Sequence, residues 1–168
     1  RRVSSQPSMI VIGGGPLGME IASGGLDAGC SVTLVSQGQP LATQLGEHLS
    51  GIFVTAARSR GLHVVSTRAV QLVRVGNATR VVLADGASLE AELVVTAVGD
   101  RANVEWLATS GLLRDGTLVA DGSGRVRPGV VAAGDVATVP TPFGVRRVPL
   151  WTAAIEQSRV AATALLTG

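Results

Sequence analysis

The chain has 168 residues but a single cysteine, no lysine, only 2% aromatic residues and no long apolar run. Each shortage excludes something. With Cys30 alone there is no internal disulfide and no Cys-x-x-Cys redox pair. Cys30 itself, between Gly29 and an apolar stretch, reads as a small buried residue. No apolar run approaches the roughly 20 residues of a membrane span, and no signal peptide is visible, so no membrane contact is expected and the cytoplasm is the expected location. All 14 basic residues are arginine and the formal net charge is only +2. The pI near 9.9 therefore reflects arginine chemistry, not a basic patch. Without clustered arginines or interleaved aromatics, nucleic-acid binding is excluded. His48 and His63 lack ligand spacing, so no metal site is expected, and no Ser/His/Asp constellation of catalytic residues can be assembled.

What is present is aliphatic and rich in glycine. Apolar residues make up 46% of the chain, and Val, Leu, Ala and Ile must build the core. The 22 glycines favour tight turns and close strand–helix packing. Residues 1–7 read as a polar tail, and the opening Arg-Arg suggests a trimmed start. Met9–Ile12 reads as a buried parallel strand, followed by a helix from Pro16 to about Ala28 that Gly29 stops. Ser31–Ser36 is a second strand, giving a unit of βαβ size. After a loop at Gln37–Pro40, residues 44–60 read as a helix with Leu45, Leu49, Ile52, Phe53 and Ala56 on one stripe. Leu62–Ser66 is a third strand. Ala69–Val75, Arg80–Ala84 and Ala87–Ala91, separated by Gly76-Asn77 and Asp85-Gly86, read as an antiparallel meander. Leu93–Val98 is a further buried strand ending at Gly99. A short helix is expected at Glu105–Ser110, where Trp106 reads as a packing residue. Short strands are expected at Leu118–Ala120 and Gly129–Ala133, and a final helix at Leu150–Leu166.

The chemistry is concentrated in Gly13, Gly14, Gly15, Pro16, Leu17 and Gly18, a Gly-x-Gly-x-x-Gly turn between a strand and a helix. Gly13 permits the tight turn, Gly15 lets backbone approach a pyrophosphate, and Gly18 lets the helix lie against the strand. The helix N-terminus offers free N–H groups and the positive end of a dipole to phosphates. An acidic residue that would bind the ribose hydroxyls is expected at the end of the second strand. Ser36 and then Gln37 stand there instead, with no nearby arginine for a 2′-phosphate. NAD and NADP both stay open. The lack of a cation leans the reading to NAD.

Four stretches carry a resemblance that runs from about Val3 to Gly168. They are Val11–Glu20; Leu83–Gly99 followed by Asn103–Leu107; Val130–Ala137; and Arg147–Trp151 with Ala154, Glu156 and Gln157. In these the chain resembles FAD-dependent pyridine-nucleotide oxidoreductases, the ferredoxin reductase subgroup in particular. The resemblance implies an α/β architecture: a Rossmann-like parallel sheet with an antiparallel β-meander, followed by part of a second Rossmann-like, FAD-binding domain. Residues 8–101 would be the NAD(P)-binding domain and residues 102–168 the C-terminal part of the FAD domain. The first half of the FAD domain, with its own glycine turn, is absent from the sequence, so a fragment is expected. Asp135, after Gly134, matches the aspartate that bonds the flavin's ribityl chain. Trp151 matches an aromatic next to the flavin and Glu20 a glutamate near the nicotinamide. Val98 and Gly99 belong to the nicotinamide side. The sequence departs from the family at Ser36, at Ala102 and at Pro149-Leu150.

The implied activity is transfer of hydride from NAD(P)H to FAD and of single electrons onward to a ferredoxin-like iron–sulfur protein. The missing cysteine pair argues against glutathione- or thioredoxin-reductase chemistry. A non-catalytic dinucleotide-binding module, or a split subunit that needs a separate FAD-binding chain, is the competing reading. Self-association through residues 102–168 is also expected, since half a sheet leaves edges and apolar surface open.

Overall fold

The four apolar residues Met9–Ile12 lie in β1 (Ser8–Ile12) of the computed structural model, which describes residues 6–167. Pro16 opens α1 (Pro16–Asp27), and Gly29, at φ +80°, follows its C-cap Ala28. β2 (Ser31–Ser36) pairs parallel with β1, Val11 opposite Leu34. After α2 (Ala42–Ser59), β3 (His63–Ser66) pairs parallel with β2. The chain then forms the expected meander from β4 (Ala69–Val75), β5 (Ala78–Leu83) and β6 (Ser88–Ala91). The β4–β5 connection is the two-residue Gly76-Asn77 turn, with Gly76 at φ +58°. β7 (Leu93–Thr96) returns beside β1, giving a parallel sheet of order β3-β2-β1-β7.

Each face of this sheet has its own core. Ile10, Ile12 and Val35 pack on Val81, Leu83 and Ala91 of the meander. Val11, Val32 and Leu34 pack on Ala22 of α1 and on Leu62. Alternation along β1 thus serves two covering layers, which is why the strand is apolar throughout. Each fully buried aliphatic side chain contributes about 1.5–3 kcal/mol. Small residues bring α1 close: a β-carbon on Gly25 would lie 2.7 Å from the Met9 sulfur and 3.0 Å from Val32 Cγ2.

The second helix departs from its sequence pattern. Gly46 at φ +75° kinks it, and the buried positions are Ser50 and Val54, with Ala57 partly buried one turn on. The stripe of Leu45, Leu49, Ile52, Phe53 and Ala56 is exposed. Apolar spacing marks a helical face, but the face turned inward is the one on which Ser50 bonds to the Pro40 carbonyl and Ala57 packs against the cluster of Val11, Val32, Leu34 and Leu62.

The chain divides after Gly99 into two compact units. In the second, the core is Val104, Leu107, Leu118, Ala132 and Ala137. The helix expected at Glu105–Ser110 is a single 3-10 turn, Glu105–Leu107, followed by turns. Trp106 is not a packing residue: it is 74% exposed, its indole N–H donating to the Asn103 carbonyl at 3.2 Å. Leu118–Ala120 forms no strand but one parallel bridge, Val119 to Thr138. β8 (Arg125–Arg127) and β9 (Val130–Val131) form an antiparallel pair, so the Gly129–Ala133 run is strand at only two residues. β10 (Val139–Thr141) and β11 (Gly144–Arg146) make a hairpin that no sequence signal announced. α3 (Trp151–Thr167) closes the unit with Ala161 and Ala164 inward. Arg125 ties β8 to it by donating from Nη2 to the Ala164 carbonyl at 2.6 Å. Among the described residues no helix is long and apolar enough to cross a membrane. Residues 1–5 of the expected polar tail lie outside the described residues.

Candidate functional site

The glycine turn lies at the C-terminal edge of the sheet, where β1 is flanked by β2 on one side and β7 on the other. In open α/β sheets this switch point is where ligands bind. Both neighbours hold the turn. Gly13 N–H donates to the Val35 carbonyl at 2.8 Å, and Ala97 N–H donates to the Ile12 carbonyl at 2.7 Å. Three glycines are compelled by contact. A β-carbon on Gly13, at φ +118°, would sit 2.1 Å from the Ala97 oxygen; one on Gly14 would sit 2.4 Å from Ser36 Oγ; one on Gly18 would sit 1.9 Å from the Gly13 oxygen.

Gly15 differs. A β-carbon there would meet nothing within 4 Å, and its backbone is extended at φ −76°, ψ −179°. It is the N-cap of α1 with no side-chain cap, and no acidic residue occupies the first turn. The first amides of α1 therefore keep unsatisfied donors beside open space, with the positive end of the helix dipole behind them. A pyrophosphate fits this cradle. Pro16 and Gly18 are partly buried and buried, whereas Leu17 and Val98 are 60% and 73% exposed, apolar side chains at the same sheet edge. Gly99 follows at φ +113°. Glu20 is exposed on α1.

Beyond β2, Ser36 is partly buried against Gly14, while Gln37, Gly38 and Gln39 are exposed. This segment is fastened at several points. Leu41, at φ +65°, donates its N–H to the Gly14 carbonyl at 2.8 Å. A left-handed leucine costs about 1–2 kcal/mol, so the surrounding bonds must hold it there. Ser50, fully buried on α2, donates to the Pro40 carbonyl at 2.6 Å. Gln39 Nε2 donates to Ser50 Oγ at 2.6 Å and to the Glu47 carbonyl at 2.9 Å. The sequence reading missed Gln39, Leu41 and Ser50. The signal available for Ser50 is its place with Val54 and Ala57 at i, i+4, i+7 on one helical face.

The second unit holds Gly134, Asp135 and Trp151. Gly134, at φ +77°, donates its N–H to Gln157 Oε1 at 2.8 Å, bracing its turn against α3. Asp135 lies exposed in the 3-10 turn Gly134–Val136, with no ion-pair partner among the described residues. Its carboxylate faces solvent and is free to accept a hydrogen bond from a ligand hydroxyl. Trp151, the first residue of α3, is 75% exposed. Arg147 pairs with Asp100. The Asp121 carboxyl is held below its ordinary range by the Ser123 hydroxyl first and the Arg125 N–H next. Among the described residues no cluster of three His, Cys, Asp or Glu could hold a metal ion.

Comparison with known proteins places the fold and the family. The family model for pyridine nucleotide-disulphide oxidoreductases matches residues 1–158. Rhodocoxin reductase of Rhodococcus erythropolis is 33% identical across 99% of this chain and 40% of its own length. A ferredoxin–NAD(P)(+) reductase of Sphingomonas is 34% identical across 84% of this chain and 35% of its own. The crystal structure of the ferredoxin reductase for the CYP199A2 system from Rhodopseudomonas palustris superposes with a TM-score of 0.85 at 29% identity, covering 97% of this chain and 42% of that one. The chain thus spans about 40% of the length of the relatives it matches. On this evidence the chain belongs to the pyridine nucleotide-disulphide oxidoreductase family.

Proposed function

We propose that residues 8–101 bind NAD(P)H, and that residues 102–168 supply part of an FAD site, in an enzyme that delivers electrons to a ferredoxin-like iron–sulfur protein. The observation that carries this reading is the open cradle at Gly15, bounded by the three glycines whose contacts leave no room for a side chain. The free amides of the first turn of α1 would hold the pyrophosphate. Leu17 and Val98 offer apolar contact at the same edge, and Glu20 would stand near the nicotinamide end. Asp135 would accept a hydrogen bond from the flavin's ribityl chain, with Gln157 fixing the turn that carries it. Trp151 would pack beside the ring. When bound, the flavin would supply the conversion of a two-electron hydride into single electrons, and the protein's part is binding and orientation. Relatives named as ferredoxin reductases support an iron–sulfur acceptor.

A visible absorption spectrum of the purified chain, repeated after adding FAD and then NADH, tests this. Retained flavin that bleaches with NADH supports a working reductase core. NADH binding without flavin retention supports the competing reading, a dinucleotide-binding module that needs a separate FAD-binding chain. The neutral end of β2 at Ser36 and Gln37 favours that second reading. Binding of neither cofactor would overturn both.

A further inference from the structure

The chain contains the pairs Asp85-Gly86, Asp115-Gly116 and Asp121-Gly122. An aspartate before glycine can close on the backbone nitrogen that follows it, because glycine puts no side chain in the way. The structure restrains the three pairs differently. Gly86 N–H donates to the Leu83 carbonyl at 3.0 Å, and Asp85 Oδ1 accepts from Ala87 N–H at 3.0 Å. Asp121 Oδ1 accepts from Ser123 N–H at 2.9 Å, Ser123 Oγ at 2.7 Å and Arg125 N–H at 2.9 Å. These bonds, the Ser123 hydroxyl first, hold its carboxyl below the ordinary range and disfavour the neutral, electrophilic form. Asp115 has no such restraint. Among the described residues its carboxylate makes no hydrogen bond or ion pair, Gly116 N–H makes no hydrogen bond, and both residues are exposed. Both are left-handed, Asp115 at φ +48° and Gly116 at φ +74°. Their turn is closed by one bridge that belongs to no strand, Arg114 and Thr117 exchanging two N–H to carbonyl bonds at 2.9 Å. A β-carbon on Gly116 would meet nothing within 4 Å, so a ring has room to form.

We propose that Asp115-Gly116 is a site of spontaneous isoaspartate formation, and that hydrogen bonding spares Asp85 and Asp121. The Gly116 nitrogen attacks Asp115 Cγ. A C–N bond forms, the Cγ–O bond breaks and one water leaves, giving a five-membered succinimide. Water then adds to either ring carbonyl. Addition at Cγ restores aspartate, whereas addition at the backbone carbonyl carbon leaves the chain running through Cγ as isoaspartate. The water released is the water regained, and no oxidant, reductant or other reactant takes part. Ring closure needs Asp115 to rotate out of its turn, which breaks only the Arg114–Thr117 pair and releases an aspartate from the left-handed region. At Asp85 the nitrogen that must attack is held through its N–H by the Leu83 carbonyl, and at Asp121 the carboxylate is held by three donors. An isoaspartyl backbone is one carbon longer and no longer matches the two-residue turn. That turn lies between Leu113 and Leu118, which both pack in the core of the second unit.

The test ages the full chain folded and, separately, unfolded in concentrated guanidinium chloride. Both samples are kept warm for weeks at about pH 5, where carboxyl groups are partly neutral. Each is then cut with a protease that leaves the Arg114–Asp115 bond intact. Mass spectrometry with electron-transfer fragmentation tells aspartyl from isoaspartyl backbone at each site. In the folded chain isoaspartate at Asp115 is expected to accumulate at least about tenfold faster than at Asp85 or Asp121, whose bonds must break first. In the unfolded chain the three rates are expected to lie within about threefold of one another. Equal rates in the folded chain, or conversion of Asp85 or Asp121 ahead of Asp115, would overturn the proposal. A folded chain in which Asp115 stays aspartate would overturn it as well, whatever the unfolded chain does. A preference for Asp115 that persists unchanged on unfolding would trace it to sequence and overturn the protection assigned to hydrogen bonding.

Discussion

A β-carbon on Gly18 would lie 1.9 Å from the carbonyl oxygen of Gly13, the residue that starts the same turn. Neither atom can yield, because Gly13 is held by the Val35 carbonyl and Gly18 lies in the first turns of α1. Gly18→Ala should therefore separate helix from strand, at a cost of about 3 kcal/mol. Gly15→Ala should behave in the opposite way. Its β-carbon meets open space and its backbone is already extended, so stability should change by less than about 0.5 kcal/mol. The same β-carbon would occupy the proposed pyrophosphate cradle, and NADH affinity should fall about tenfold or more. Thermal melts and NADH titrations of the two variants separate a glycine kept for folding from one kept for binding. Loss of stability without loss of affinity in Gly15→Ala would contradict the assignment.

The two faces of the parallel sheet should fail independently. Leu34 packs with α1 and Leu62, while Leu83 packs with Ile10, Ile12 and Val35 beneath the meander. Leu34→Ala and Leu83→Ala should each cost about 2–5 kcal/mol, from lost burial and the cavity left behind. Because they belong to separate clusters on opposite faces, the double variant should sum the two within about 0.5 kcal/mol. Denaturant titration of the two single variants and the double variant checks both points.

The parts legible in the sequence were those in which one signal served one purpose. Met9–Ile12 is a continuous apolar run of the kind a doubly covered strand carries, and Gly76-Asn77 is a tight-hairpin signal; both formed as read. The glycine turn was legible because Gly13 and Gly18 answer to backbone contacts and Gly14 to the Ser36 side chain. Where the sequence misled, two physical demands competed. On α2 the apolar stripe suggested a core face, but the face turned inward is that of Ser50 and Ala57. Ser50 was illegible as part of the site because its role depends on the Pro40 carbonyl ten residues away. In the second unit, strands of two or three residues such as β9 and β10 are too short for a period of two to show.

Asp121 makes stability depend on acid in a defined direction. Its Oδ1 accepts from Ser123 N–H at 2.9 Å, Ser123 Oγ at 2.7 Å and Arg125 N–H at 2.9 Å, bonds that favour the charged carboxylate. The folded-state value is lowered, so the contribution is fully present above the unfolded value of about 3.9 and is lost as pH falls through the folded one. Asp121→Asn should therefore melt earlier than the wild type at neutral pH. The difference should shrink as pH falls below about 4. A constant difference across that window, followed by circular dichroism, would mean that the charge of Asp121 plays no part in holding the turn.

Asp135 allows binding to be tested with little risk to folding. It lies exposed with no ion-pair partner among the described residues, and its turn is held by Gln157 through Gly134, not by its own side chain. Asp135→Ala should leave stability within about 0.5 kcal/mol of the wild type. If the carboxylate accepts from the ribityl chain, a charge-assisted bond worth about 1.5–3 kcal/mol is lost, which lowers FAD affinity by about tenfold or more. Gln157→Ala removes the brace instead, leaving the Gly134 amide without its partner, and should lower stability and FAD affinity together. Fluorescence titration with FAD alongside thermal melts distinguishes the two: equal FAD affinity in wild type and Asp135→Ala would take the carboxylate out of the flavin site, whatever Gln157→Ala shows.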